Sequence, residues 1–117
     1  MIEIRVTRDA QGEIRGIRVA GHSGYAGAGS DIVCAAVSAV VQTAIQGVER
    51  VAGCAARVTT GEALIEAEVS PPDPRHAAAR WDQAQAILET MVMGLREIED
   101  GRGRYVRVED CKGGAAL

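Results

Sequence analysis

Between Asp31 and Glu49 the chain carries not one charged side chain, and Val33, Val37, Val40, Ala44, Val48 and Val51 return every three or four positions. That period places them on one face of a helix, with Asp31 as its expected N-cap and an end near Gly53. A helix with so little charge anywhere on its surface must be covered on most sides. The flanking sequence supplies the cover. "IEIRVTR" and "EIRGIRVAG" alternate apolar and polar residues on either side of a turn containing Gly12, the pattern of a β-hairpin. "ARVTTG" and "ALIEAEVS" repeat the alternation before "PPDP" ends the sheet. Ala77, Trp81, Ala84, Leu88, Met91, Leu95 and Ile98 then form a second helical stripe, with Asp73 as cap, Pro74 at the first position and Gly101 as the stop. "RYVRVED" reads as a last strand. The order ββαββαβ predicts an α+β fold, a single domain with two helices packed on one face of a mixed or antiparallel sheet.

Length agrees with this reading, since 117 residues suffice for one hydrophobic core and one domain. Residues 112–117, "KGGAAL", are expected to form a flexible tail. With no Phe, one Trp and two Tyr, the core must be aliphatic and there are few platforms on which to stack bases. A net charge of −3 argues against a general phosphate-binding surface, so no direct contact with nucleic acid is expected. Met1 leads directly into "IEIRV" without a basic and apolar leader, and no apolar run is expected to cross a bilayer, so a cytoplasmic protein without a membrane is expected. Cys34, Cys54 and Cys111 are odd in number and lack metal-ligand spacing. Free thiols follow, with no metal and no cofactor.

The chemistry concentrates in "GHSGYAGAGSDIVCAAVSAV", Gly21 to Val40. Counting from Asp31 as cap puts Cys34 in the first helical turn, where unpaired amides and the helix dipole favour a thiolate and can hold an oxyanion. The negative charge of Asp31 opposes ionisation, which makes a proton-accepting partner valuable. His22 is the available one, and glycines at 21, 24, 27 and 29 let the chain fold back toward it. The same two residues also fit a small packed thiol and a loop histidine bonded to nearby backbone. Ser38 lies one turn after Cys34, placed either for substrate or for a bond back to the carbonyl four residues earlier. The loop of Ser23, Gly24, Tyr25, Gly27, Gly29 and Ser30 reads as a substrate-covering segment or as a permissive surface loop. It lacks both the G-x-G-x-x-G order and a terminal Lys-Ser/Thr pair, so a nucleotide site is not indicated. Cys54 is expected to be packed, Cys111 exposed, and His76 solvated. A different class of function, a non-catalytic ribosome-associated binding module, would use Arg5, Arg8, Arg15 and Arg18 on the first hairpin.

At "GHSGYAGAGSDIVCAAVSAVVQTAIQGVE" the chain resembles the ribosomal-processing cysteine proteases, the bacterial Prp family, and the short hairpin before it and "ILETMVMGLREIE" with "YVRV" after it fit as well. The resemblance implies a catalytic dyad of His22 and Cys34, with Gly21, Asp31 and Ser38 as supporting residues. It implies removal of the N-terminal extension of a large-subunit ribosomal protein by a homodimeric enzyme whose glycine loop closes on the peptide. One departure is Ser23, where the family usually has alanine.

Overall fold

In a computed structural model of the chain, residues 1–22, 28–72, 74 and 77–111 are described, with the backbone alone for 28–31 and 77. Strands β1 (Ile2–Arg8) and β2 (Ile14–Ala20) precede helix α1 (Ala28–Arg50). Strands β3 (Ala55–Gly61) and β4 (Leu64–Ser70), helix α2 (Ala77–Arg102) and strand β5 (Val106–Cys111) complete the order. The expected ββαββαβ sequence of elements is therefore the one observed. The five strands form one mixed sheet in the order β3-β4-β2-β1-β5, in which β1 and β5 are parallel and the other pairs antiparallel.

Alternation along each central strand sends one set of side chains to the helices. Ile2, Ile4 and Val6 of β1, Ile14, Ile17 and Val19 of β2, and Ala67 and Val69 of β4 are buried. Val33, Val37, Val41, Ala44, Ile45 and Val48 meet them from α1, and Trp81, Ala84, Leu88, Met91, Val92 and Leu95 from α2. The two helices approach closely where glycine faces a branched side chain. A Cβ on Gly47 would lie 3.3 Å from Ile87, and one on Gly94 3.4 Å from Val40. Small residues at the crossing bring the axes together at little cost.

Four boundaries differ from the sequence reading. Helix α1 starts at Ala28, so Asp31 lies inside it and is not its cap. Alanine is the best helix former, and starting the helix at Ala28 gains backbone hydrogen bonds ahead of Asp31. Val51 falls beyond the end of α1 and is exposed, while Val41 and Ile45 take the core positions. Helix α2 begins at Ala77, so Pro74 is not its first residue, and it runs through Gly101 to Arg102. Its last turn projects into open space around Gly101, where nothing forces a stop. Asp73, His76 and residues 112–117 lie outside the described residues. A 19-residue stretch of α1, Ile32–Arg50, is long and apolar enough to cross a membrane by length and composition, contrary to expectation. Its inner stripe is occupied by the sheet.

The β1–β2 turn shows its chemistry plainly. Asp9 Oδ1 accepts from the amides of Gln11 and Glu13, and Gly12 takes a φ of +81°. Beside it the strand register shifts between Thr7 and Arg8, and the amide and carbonyl of Ile14 turn to the Gln85 side chain of α2 at 2.7 and 2.9 Å. Arg8 continues the inward set of β1 and is buried. Its guanidinium forks to Glu89 at 2.6 and 2.9 Å and to Asp110 at 2.7 and 3.0 Å, joining β1, α2 and β5. The Asp110 side chain is only 6% exposed, and Arg8 helps to compensate its buried charge. Arg8→Met should cost about 3–5 kcal/mol of folding free energy, because it removes the cation paired with a buried carboxylate, and urea denaturation will measure the loss.

Candidate active site

Four segments meet at one end of the sheet: the start of β1, the end of β2, the β3–β4 turn and the first half of α1. The backbone holds them together. Gly21 donates its amide to the Ala63 carbonyl at 2.9 Å, tying the end of β2 to the β3–β4 turn. Gly21 has φ +97°, and a Cβ there would sit 2.6 Å from the Met1 carbonyl oxygen. Both facts require glycine. Ala63, with φ +53°, adopts a left-handed conformation that alanine takes at a cost. The strain lies where the turn meets Gly21.

His22 follows Gly21 and is exposed. Cys34 is half-buried on the flank of α1 that turns from the core toward the β3–β4 hairpin. The two side chains border one cleft of about 360 Å³. Val19 and Val37 are apolar parts of its lining, and Leu64 and Ile65 supply the hairpin wall. Ser38 and Gln42 continue the α1 wall, and Thr60 and Gly61 extend the hairpin wall. A cleft with an apolar lining and a few convergent polar groups is the usual form of a small binding site.

Of the residues singled out in the sequence, the fold brings Gly21, His22, Cys34 and Ser38 together. Ser38 makes no bond back to the Cys34 carbonyl among the described residues, unlike Thr90, whose hydroxyl donates to the Ala86 carbonyl at 2.7 Å. The backbone of Gly29, Ser30 and Asp31 is helical, and Ser23, Gly24, Tyr25 and Gly27 lie outside the described residues. The helix start corrects one part of the expected chemistry. Cys34 lies six residues in from Ala28, beyond the first turn to which free amides and the dipole's influence are confined. Its own amide is an interior one.

The other thiols have different surroundings. Cys54 is buried and its sulfur contacts the carbonyls of Ala52 and Arg80 at 3.8 and 3.6 Å. Burial pushes this thiol above the ordinary range, with Arg80 pulling weakly the other way. Cys111 is half-buried at the end of β5 rather than exposed. Among the described residues no group of three or more His, Cys, Asp and Glu side chains could hold a metal ion.

The arginines of the binding-module reading are engaged elsewhere. Arg5 pairs with Glu109 at 3.8 Å, Arg15 with Asp9 at 3.7 Å and Arg18 with Glu66 at 3.6 Å, while Arg8 is held in its buried fork. Arg15 also lies 5.5 Å from the centroid of the Trp81 ring. Each of these four arginines thus already has a carboxylate partner.

Comparison with known proteins agrees with this geometry. Residues 1–107 match the family described as Cysteine protease Prp. The chain belongs to that family. It is 32% identical over 99 residues to the ribosomal processing cysteine protease Prp of Bacillus subtilis, covering 85% of this chain and 88% of that protein. The Staphylococcus aureus Prp is 25% identical over 108 residues, covering 92% and 97%. A crystal structure of the essential ribosomal processing protease Prp from S. aureus, in complex with a covalently linked product peptide, superposes with a TM-score of 0.81. That match has 23% identity and covers 95% of this chain and all of that one. As a Prp family member the chain is a cysteine protease.

Gln42, Thr60 and Ala63 were not singled out by sequence reasoning. For Gln42 a signal existed, since Cys34, Ser38 and Gln42 follow an i, i+4, i+8 spacing. For Thr60 and Ala63 there was none, because the pairing of β4 with β2 brings their hairpin to the site. Gly21→Ala should lose about 2 kcal/mol of stability or more and most of the activity, because it forces the backbone carrying His22 away from Met1. Gly12→Ala, with equally positive φ but open space around it, is the control that loses stability alone.

Proposed function

We propose that this chain is an endopeptidase in which Cys34 is the nucleophile and His22 the general base and acid. The observation that carries the proposal is the shared cleft, bordered by both His22 and the half-buried Cys34. The Cys34 sulfur attacks the scissile carbonyl as its proton passes to His22. The tetrahedral intermediate collapses to a thioester while His22 gives that proton to the leaving amine. A water molecule then attacks the thioester with His22 as base, releasing the carboxylic acid and returning the thiol. Gly21 supports His22 through its backbone, and Ser38 lies beside Cys34 with its hydroxyl available to substrate. Asp31 stands one turn before Cys34 as a further supporting residue.

The substrate we propose is the N-terminal extension of a large-subunit ribosomal protein, cut in the cytoplasm. The support is the family membership, together with S. aureus relatives solved with a substrate peptide and with a covalently linked product peptide. Cys34→Ala should fold normally and abolish cleavage, lowering the rate by at least about a thousandfold. N-terminal sequencing of that ribosomal protein after incubation with each enzyme is the measurement. Undiminished cleavage by Cys34→Ala would overturn the assignment.

The enzyme is also proposed to act as a homodimer joined through the outer faces of α1 and α2. A shallow apolar groove of about 660 Å³ runs between them, lined by Val40, Thr43, Ile87 and Met91 among others. Ile32 and Met93, 66% and 69% exposed, continue the outer faces at helical spacing. Met93→Asp should shift the protein from dimer to monomer in sedimentation equilibrium. A sedimentation profile identical to that of the parent would remove this face from consideration.

A further inference from the structure

The cleft runs along α1 past the dyad, and Gln42 is the lining residue furthest along that helix from Cys34. Cys34, Ser38 and Gln42 occupy one flank of the helix at four-residue intervals, so a straight groove follows them. Eight residues of helix cover about 12 Å along the axis, and an extended peptide advances about 3.3 Å per residue. A peptide with its scissile carbonyl at Cys34 therefore reaches Gln42 with its third or fourth residue from the cut.

Thr60 of β3, the strand at the sheet edge, lines the same cleft. The floor is apolar, formed by residues such as Val37 and Ile65. An exposed glutamine above such a floor makes no hydrogen bond with any described residue, while its carboxamide carries both donors and an acceptor. That pair of functions complements a peptide unit, which presents one N–H and one C=O. Gln42 also lies outside the buried stripe of α1 and contributes nothing to the core, as the buried residues are Val37, Val41, Ala44 and Ile45.

We infer that Gln42 is a specificity-determining residue that binds the substrate main chain three or four residues from the scissile bond and fixes the register in which the peptide meets Cys34. This rests on the proteolytic reading of the cleft. Contact at that distance makes the enzyme require an extended segment on one side of the cut. It selects for length and for an unobstructed backbone. A proline is excluded where it would remove the N–H that Gln42 binds.

The test uses the full-length enzyme and a pool of defined ten-residue peptides, with the fastest-cut one taken for kinetics. Gln42→Ala should fold as the parent does, since the residue is exposed on a helix. Its kcat/KM on that peptide should fall about tenfold, chiefly through KM, as expected for a lost hydrogen-bonded contact made equally in ground and transition states. Peptides trimmed to two residues on one side of the cut or on the other decide the geometry. On one of the two trimmed forms, parent and Gln42→Ala should become equal. Gln42→Asn, whose amide is one methylene shorter, should recover part of the loss on the long peptide. Equal activity of Gln42→Ala on the long peptide, or the same tenfold loss on both trimmed forms, would overturn the inference. In the same assays an active Cys34→Ala, or a parent inert on every peptide, would bring down the proteolytic reading and this one with it. An active parent and dead Cys34→Ala alongside an unaffected Gln42→Ala would bring down this inference alone.

Discussion

The burial of one stripe of α1 on the sheet governs the rest of the molecule. Val33, Val37, Val41, Ile45 and Val48 are each less than a tenth exposed, and each aliphatic side chain so covered is worth roughly 1.5–3 kcal/mol. Their combined burial prevents the helix from rotating about its axis. Once it is fixed, every other residue of α1 has its direction assigned. Cys34, Ser38 and Gln42 fall on the flank toward the β3–β4 hairpin, and Val40 falls on the flank toward α2. The Cys34 sulfur therefore owes its position to valines that have no chemical part to play.

The two ends of the domain are built differently. Away from the cleft, the Arg8 fork ties β1, α2 and β5 with charged hydrogen bonds. The outer edge of β5 is closed as well, since Glu99 accepts the Val108 amide at 2.7 Å and Arg96 donates to the Val108 carbonyl at 3.0 Å. Burial pulls the Glu99 carboxyl up, but the Val108 amide and Arg96 together hold it below its ordinary value, so this closure is complete at neutral pH. Capping an edge strand in this way prevents another chain from pairing with it. At the cleft end the ties are main-chain contacts, Gly21 to Ala63 and Gly21 against Met1. Main-chain packing holds the segment bearing His22 without filling the space a substrate would need.

Much of this was legible from residue order alone. Alternation in "IEIRVTR", "EIRGIRVAG" and "ALIEAEVS" gave the strands because period two can be satisfied only by an extended chain with one covered face. The Trp81-to-Leu95 stripe was legible for the corresponding reason in a helix. His22 and Cys34 stood out through residue type and the glycines between them. The start of α1 was misplaced because Asp31 is a good cap by type, whereas cap choice is settled by whether the preceding residues can continue the helix. Arg8 differs from the other hairpin arginines, because its place in the alternation puts it on the inner face. Its carboxylate partners, distant in the chain at Glu89 and Asp110, together with the Gly12 carbonyl make that position tolerable.

The sequence by itself determined the elements, their order, and which residues could do thiol chemistry, since these follow from local periodicity and side-chain type. Tertiary structure alone decided the strand order β3-β4-β2-β1-β5, and with it the meeting of the β3–β4 turn with Gly21 and His22. Nothing local to residues 60–65 or to Gln42 specifies a neighbour across the cleft. Such proximity arises only when the whole sheet pairs and the helix is pressed onto it, a cooperative outcome that no short stretch encodes.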